Sequence, residues 1–236
     1  METVYDRTRL LIGDRGIDSL KKGAVIIFGL GGVGGMAVEA LARAGVGSLT
    51  IVDFDTINIT NINRQIIAFH SSVGKYKTDV MAQRIADINP HICVNVICKR
   101  ISDENLSDIV LQNYDFIVDA IDDVPAKFAL IQKAYEINVP IISSMGTGDK
   151  IDMQCLSIQA IKNTNTCPLA KVMRGKLRKV GIENLKVVCS SEKPERKISR
   201  QECGDTSSIS FVPPAAGLLL AQHVIVSLID SEEGNL

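Results

Sequence analysis

Apolar residues along the chain gather into short continuous runs, and between these runs they recur every three or four positions, an alternation that predicts strands and helices in turn. Ala24-Val25-Ile26-Ile27-Phe28 reads as a buried strand. A glycine-rich turn follows, then a helical stretch from Val33 to Ala44 that closes at Gly45. Ser48 to Val52 predicts a second strand. After an Asn-rich loop the spacing predicts a helix over Lys75 to Ile88, ended by Asn89-Pro90, and a strand over Ile92 to Cys98. A helix is expected near Glu104 to Leu111, a short strand at Phe116-Ile117-Val118, a helix over Pro125 to Asn138 and a strand over Pro140 to Ser143. The rhythm predicts an α/β fold, a Rossmann-like and mostly parallel sheet with helices on both faces. Beyond Gly146-Thr147-Gly148 the pattern loosens into a C-terminal extension. There Cys155 to Ile161 alternates like a strand, Pro168 to Lys179 is a basic helix, Leu185 to Cys189 is another strand, and the polar stretch Ser190 to Ser208 reads as a mobile loop. Ile209 to Ile229 approaches membrane-spanning length, but Pro213-Pro214 break it and Gln222 and His223 interrupt it. It is read as a short strand, a turn and a buried or oligomer-facing helix, with no membrane partner.

The turn after the first strand is Gly29-Leu30-Gly31-Gly32-Val33-Gly34. Gly29, Gly31, Gly32 and Gly34 suit a sharp turn, the approach of an anion to the main chain, and close packing of helix on strand, while the helix N-terminus favours phosphate. The second strand ends in Asp53, where a carboxylate commonly accepts hydrogen bonds from a ribose. Taken alone, this fingerprint also fits a nicotinamide dinucleotide. The loop from Asp55 to Gln65 contains Asn58, Asn61 and Asn63, which suit tight turns, together with Arg64; Lys77 follows on the next helix. A dinucleotide carries two phosphate charges that backbone N–H groups largely meet, whereas a triphosphate carries about four and usually needs Arg, Lys and Mg²⁺ besides. Arg64, Lys77 and a metal-binding Asp119 at the end of the third central strand therefore favour ATP. Lys77 also fits a solvated helix face, and Asp119 also fits a cap for the next helix.

With 236 residues and 46% hydrophobic content, the chain can bury one substantial core. The net charge of −1 points globally to neither nucleic acid nor membrane. From Lys171 to Arg200, however, ten Lys or Arg stand against three Glu, a local +7 that leaves −8 for the remainder. Met1 to Leu20 is charged and lacks an apolar core of signal-peptide length, and cytoplasmic placement is expected. Cysteines at 93, 98, 155, 167, 189 and 203 form no CxxC, which argues against a zinc ribbon; several lie in apolar strand-like runs and read as reduced and buried. His70, His91 and His223 are scattered and receive no role.

The segments Gly29 to Gly34, Val52-Asp53-Phe54-Asp55, Asn61-Ile62-Asn63-Arg64-Gln65, Val73-Gly74-Lys75-Tyr76-Lys77, Ile88-Asn89-Pro90 and Asp119-Ala120-Ile121-Asp122 resemble, in order, the ATP-binding domain of the ubiquitin-activating-enzyme-like adenylyltransferases. Arg7-Thr8-Arg9-Leu10-Leu11-Ile12-Gly13, Pro168 to Arg174 and Ser208 to Pro214 are similar to the tRNA threonylcarbamoyladenosine dehydratase branch. The resemblance implies an adenylation domain over residues 1–150 and an extension over 151–236 packed on it, with a mobile basic loop near 190–208. It implies ATP and Mg²⁺ as cofactors, with Asp53 toward the ribose, Asp55 among the residues that bind the nucleotide, Asn61, Arg64 and Lys77 toward the phosphates, Gln65 supporting their loop, and Asp119 toward Mg²⁺. Arg7 matches an arginine that reaches into the partner's site of a homodimer. The implied reaction is adenylation of the threonylcarbamoyl carboxylate on tRNA, followed by ring closure from within the substrate. No side chain need act as base, since such a carboxylate is already ionised. The other branches weighed are an activator of a ubiquitin-like sulfur-carrier protein, with a sulfur-relay partner, and an NAD-binding or silent nucleotide module. Tyr76 stands where the pattern often has Pro, and Cys167 where the dehydratases often have an acid.

Overall fold

In the computed structural model, residues 3–109, 111–195 and 206–233 are described. Seven strands form one sheet: β1 (Ala24–Phe28), β2 (Ser48–Val52), β3 (Cys93–Ile97), β4 (Phe116–Asp119), β5 (Ile141–Ser144), β6 (Leu156–Ala160) and β7 (Lys186–Ser190). Their order is β3-β2-β1-β4-β5-β7-β6, and every pairing is parallel except β6 with β7. The central runs are Val/Ile-rich because both faces are covered. Val25 and Ile27 point into one core and Ile26 and Phe28 into the other. On the first face lie α2 (Gly34–Ala44), α3 (Lys77–Ile88) and the last helix, α6 (Val212–Glu233); on the second lie α4 (Val124–Glu136) and α5 (Pro168–Arg178). The strand order reverses between β1 and β4, which opens a crevice at the strands' carboxyl ends where nucleotides bind in such sheets.

Several elements differ from the sequence reading. The opening segment is a helix, α1 (Asp6–Lys22), kinked where Gly13 takes φ 70°. The helix expected near Glu104 to Leu111 is instead two short 3₁₀ turns, Leu106–Asp108 and Leu111–Asn113. Asn105 accepts from Ser102 N–H and donates to Arg100 O, so side-chain bonds take the place of a helical ladder there. No strand precedes α6 among the described residues 206–211, and Pro213 and Pro214 do not break it. They occupy its first turn, where a missing N–H costs nothing. By length and apolarity Val212–Asp230 could cross a membrane, but Ala216, Leu220, Ala221 and Val224 are buried against the sheet. A Cβ at Gly217 would fall 2.2 Å from Val33 O, so α6 lies against the opening of α2 at backbone contact. Of the cysteines read as buried, Cys93 and Cys98 are exposed, Cys155 is half-buried, and Cys167 and Cys189 are buried. Cys203 lies outside the described residues, as does most of the expected loop over 190–208. The flanks of that loop are pinned on one residue: Glu195 N–H donates to Asp149 O (2.9 Å) and Ser207 N–H to Asp149 Oδ1 (3.1 Å).

Candidate active site

A cavity of about 930 Å³ occupies the crevice. One wall is the glycine turn. Gly29 has φ 89°, and Gly34, the first residue of α2, packs so closely that a Cβ there would lie 1.8 Å from Gly29 O. Gly31 and Gly32 line the cavity; a Cβ on Gly31 would meet nothing nearer than Gln65 Nε2 at 4.0 Å, so this side of the turn is open. The turn leads straight into the N-terminus of α2, and a helix start beside a cavity suits phosphate.

Asp53, 8% exposed, is fixed by two backbone donors: Leu30 N–H to Oδ2 (2.6 Å) and Asp55 N–H to Oδ1 (2.8 Å). Its remaining lone pairs can accept from ribose hydroxyls. Lys77 opens α3 and is only 6% exposed, its ammonium 2.7 Å from Asp55 Oδ2. Pairing of Ile57 N–H with Lys75 O and of Lys77 N–H with Asp55 O places it there. A buried cation at the positive end of a helix is electrostatically costly unless an anion joins it, and Asp55 alone supplies one. Arg64 lies on the cavity rim, donating to Thr60 O (3.0 Å) and Asn63 Oδ1 (2.9 Å). Asn61 accepts from Asn58 N–H (2.9 Å) and so closes the turn that presents Arg64. Gln65 is buried with Oε1 lacking a partner, while its amide nitrogen lies beside the open face of Gly31. Arg7 is exposed on α1 and does not line this cavity.

Asp119, expected toward Mg²⁺, stands behind this wall. It is fully buried and absent from the cavity wall. Oδ2 accepts from Lys127 Nζ (2.7 Å) and Ser143 Oγ (2.6 Å), and Oδ1 from Ile121 N–H (3.0 Å). Lys127, also fully buried, donates further to Ser144 O (3.0 Å). The buried pair with Lys127 and the bond from Ser143 engage Oδ2, and Ile121 N–H engages Oδ1. Asp53, Asp55, Asp122, Asp123 and Asp149 do line the wall, and of these Asp122 stands three residues on, in the loop that Asp119 anchors. Asp123 beside it caps α4 through Ala126 N–H (2.9 Å). The sequence reading also missed Lys99, Arg100 and Lys150, further cations on this wall. They sit outside any spaced motif, and only the fold gathers them. Among the described residues no group of three His, Cys, Asp or Glu forms a metal cluster.

In α5, Ala170, Met173 and Leu177 face the core, while Lys171, Arg178 and Lys179 are exposed. Arg174 is committed to the turn before the helix, donating to Thr164 O (2.5 Å) and Oγ1 (2.7 Å).

Residues 5–236 match the ThiF family model. The chain is 40% identical to a Bacillus subtilis tRNA threonylcarbamoyladenosine dehydratase, covering 97% of this chain and 96% of that one. It is 32% identical to a Salmonella typhimurium molybdopterin-synthase adenylyltransferase, over 72% of this chain and 73% of that one. The crystal structure of Escherichia coli tRNA N6-threonylcarbamoyladenosine dehydratase in complex with ATP superposes with a TM-score of 0.90 at 29% identity, covering 97% and 95% of the two chains.

Proposed function

The chain belongs to the ThiF family, and on that premise we propose that it is an ATP-dependent tRNA threonylcarbamoyladenosine dehydratase acting in the cytoplasm. The observation that carries this reading is the convergence of the α2 N-terminus, Lys77 and Arg64 on one cavity, in a chain 40% identical to such a dehydratase along nearly its whole length. Residues 1–150 supply most of the nucleotide site, and 151–236 extend the same sheet through β7 and β6 and add Cys167, Pro168, Leu169 and Pro213 to the cavity wall.

In this reading Asp53 takes the ribose and the glycine turn receives the phosphates. Lys77 and Arg64 neutralise the charge that grows as pyrophosphate departs, the largest contribution a site of this kind makes. The substrate carboxylate attacks the α-phosphorus of ATP; its oxygen bonds to phosphorus and the bond to pyrophosphate breaks. The ureido group of the same modification then displaces AMP and closes a five-membered ring, so the substrate has lost one water. The protein's tasks are positioning and charge neutralisation. Magnesium bound with the triphosphate would add positive charge there, and Asp122 is the carboxylate that fits it. The exposed cations of α5, Lys171, Arg178 and Lys179, suit the phosphate backbone of tRNA. Arg7, with exposed apolar Leu10 and Leu11 after it on α1 and Val4 just before the helix, supports a homodimer in which Arg7 enters the partner's cavity.

The deciding experiment incubates the protein with ATP, Mg²⁺ and tRNA carrying threonylcarbamoyladenosine, then searches by mass spectrometry for a nucleoside lighter by one water. Its absence, together with adenylation of a ubiquitin-like sulfur-carrier protein's C-terminus under the same conditions, would assign the chain to that activity instead.

A further inference from the structure

Lys77, Lys127 and Lys150 are the lysines buried among the described residues. Lys77 faces Asp55 and Lys127 faces Asp119, each at 2.7 Å. Lys150, 6% exposed in the cavity wall, has no such partner: its ammonium donates to Gly146 O (2.9 Å) and forms no ion pair among the described residues. Its surroundings are neutral. Cys167 donates to the same carbonyl as a thiol, at 3.9 Å, and a Cβ on Gly146 would meet Leu169 Cβ at 3.8 Å. A cation taken out of water is costly unless an anion joins it, and here the chain supplies none. The backbone holds Lys150 in place from both sides. Asp149 takes φ 60°, and its Oδ1 accepts from Ser207 N–H (3.1 Å) and Ser207 Oγ (2.7 Å), while Ile151 N–H and Asp152 N–H donate to the Glu192 carboxylate at 3.0 Å each.

We propose that Lys150 anchors the carboxylate of the acyl substrate, the threonylcarbamoyl group on tRNA, at the end of the cavity away from the ribose; the identity of that substrate rests on the dehydratase reading. Along the rim the strands run β2-β1-β4-β5. Asp53, Arg64 and Lys77 follow β2 and Lys150 follows β5, and these two strands are three spacings apart, about 14 Å. A nucleotide with its ribose at Asp53 and its phosphates at the glycine turn leaves the β5 end, walled by Met145, Gly146 and Leu169, for a second ligand. Phosphoryl displacement sets the entering and departing oxygens roughly in line through phosphorus. With pyrophosphate departing toward Arg64 and Lys77, the carboxylate enters from the β5 side. One of its oxygens accepts from Lys150 Nζ, which has two N–H donors left beyond the Gly146 bond, and the other attacks the α-phosphorus. The other cations missed in the sequence are already paired and exposed, Lys99 with Asp108 (3.5 Å) and Arg100 with Asp123 (3.6 Å).

The test measures binding before turnover. Threonylcarbamoyladenosine, as the free nucleoside, is titrated by calorimetry onto the whole protein saturated with a nonhydrolysable ATP analogue, and its uncharged methyl ester is titrated in parallel. The parent should bind the acid at least about tenfold more tightly than the ester, as a charged hydrogen bond allows. Lys150→Met should abolish that preference, leave the Kd of the ATP analogue within about twofold, and melt no lower than the parent without ligands, because it removes a buried charge that has no anion. Lys150→Gln, which keeps a donor for Gly146 O, takes its place if the first variant does not fold. Equal binding of acid and ester by the parent overturns the proposal, as does a preference that survives loss of the ammonium or one that Lys99→Met abolishes instead. Equal weakening of the ATP analogue also overturns it, since Lys150 would then serve the nucleotide. A parent that prefers the acid yet converts no modified tRNA counts against the dehydratase reading alone.

Discussion

Removing the ammonium of Lys127 tests whether Asp119 is a structural anchor or a ligand of the reaction. In Lys127→Met the Asp119 carboxylate would remain fully buried, keeping Ser143 Oγ and Ile121 N–H but losing the cation at 2.7 Å. Stranding one partner of a buried pair costs about 3–5 kcal/mol. Ser144 O also loses its donor, which adds about 1 kcal/mol or more. For a domain of this size each kcal/mol lowers Tm by about 2–4 °C, so a fall on the order of 10–20 °C is expected in a thermal melt without nucleotide. The pair variant Lys127→Met with Asp119→Leu, which leaves neither charge, should recover most of that loss. A Lys127→Met protein melting within about 2 °C of the parent would refute the anchoring role and return Asp119 to the list of possible ligands.

Three further outcomes are expected. ATP with Mg²⁺ at a hundredfold excess over Kd should stabilise the protein by about 2.7 kcal/mol in a melt, with no shift from NAD; a larger shift with NAD would overturn the triphosphate reading. Lys77→Ala and Asp122→Asn should each lower kcat at least about a hundredfold with an intact fold by circular dichroism, and near-normal kcat in both would place the chemistry elsewhere. Mixing Arg7→Ala with Lys77→Ala protein after subunit exchange should restore part of the activity, since one mixed site is intact; sedimentation as a monomer at micromolar concentration speaks against a shared site.

The nucleotide half of the fold is legible in the sequence because each local signal agrees with the next. An apolar run, a glycine turn, a helix capped by Gly45 and a strand ending in Asp53 leave little freedom, and β1, α2 and β2 lie where the pattern puts them. Asp119 and Asp122 show the limit. Both follow the same strand, and the deciding fact is that Asp119 pairs in register with Phe28 inside the sheet, where it meets Lys127 from α4. That partner stands eight residues away across a turn, beyond any periodicity. The opening helix α1 was missed for another reason: Gly13 and Gly16 and a scatter of charges blur its apolar face, and Leu10 and Leu11 remain exposed. The cluster of Lys99, Arg100 and Lys150 in one wall exists only once the sheet brings the chain after β3 and the chain after β5 to one rim.

The backbone contact between Gly217 and Val33 gives the molecule a history as well as a shape. The apolar side of α2 is covered by α6, an element about two hundred positions later in the chain. A ribosome adding roughly 5–20 residues per second emits those two segments on the order of 10–40 s apart. Throughout that interval the nascent polypeptide carries an uncovered greasy surface beside its phosphate turn, which Pro213 also helps to wall. A chain lacking α6 would leave the apolar side of α2, including Ala37 and Leu41, without its cover.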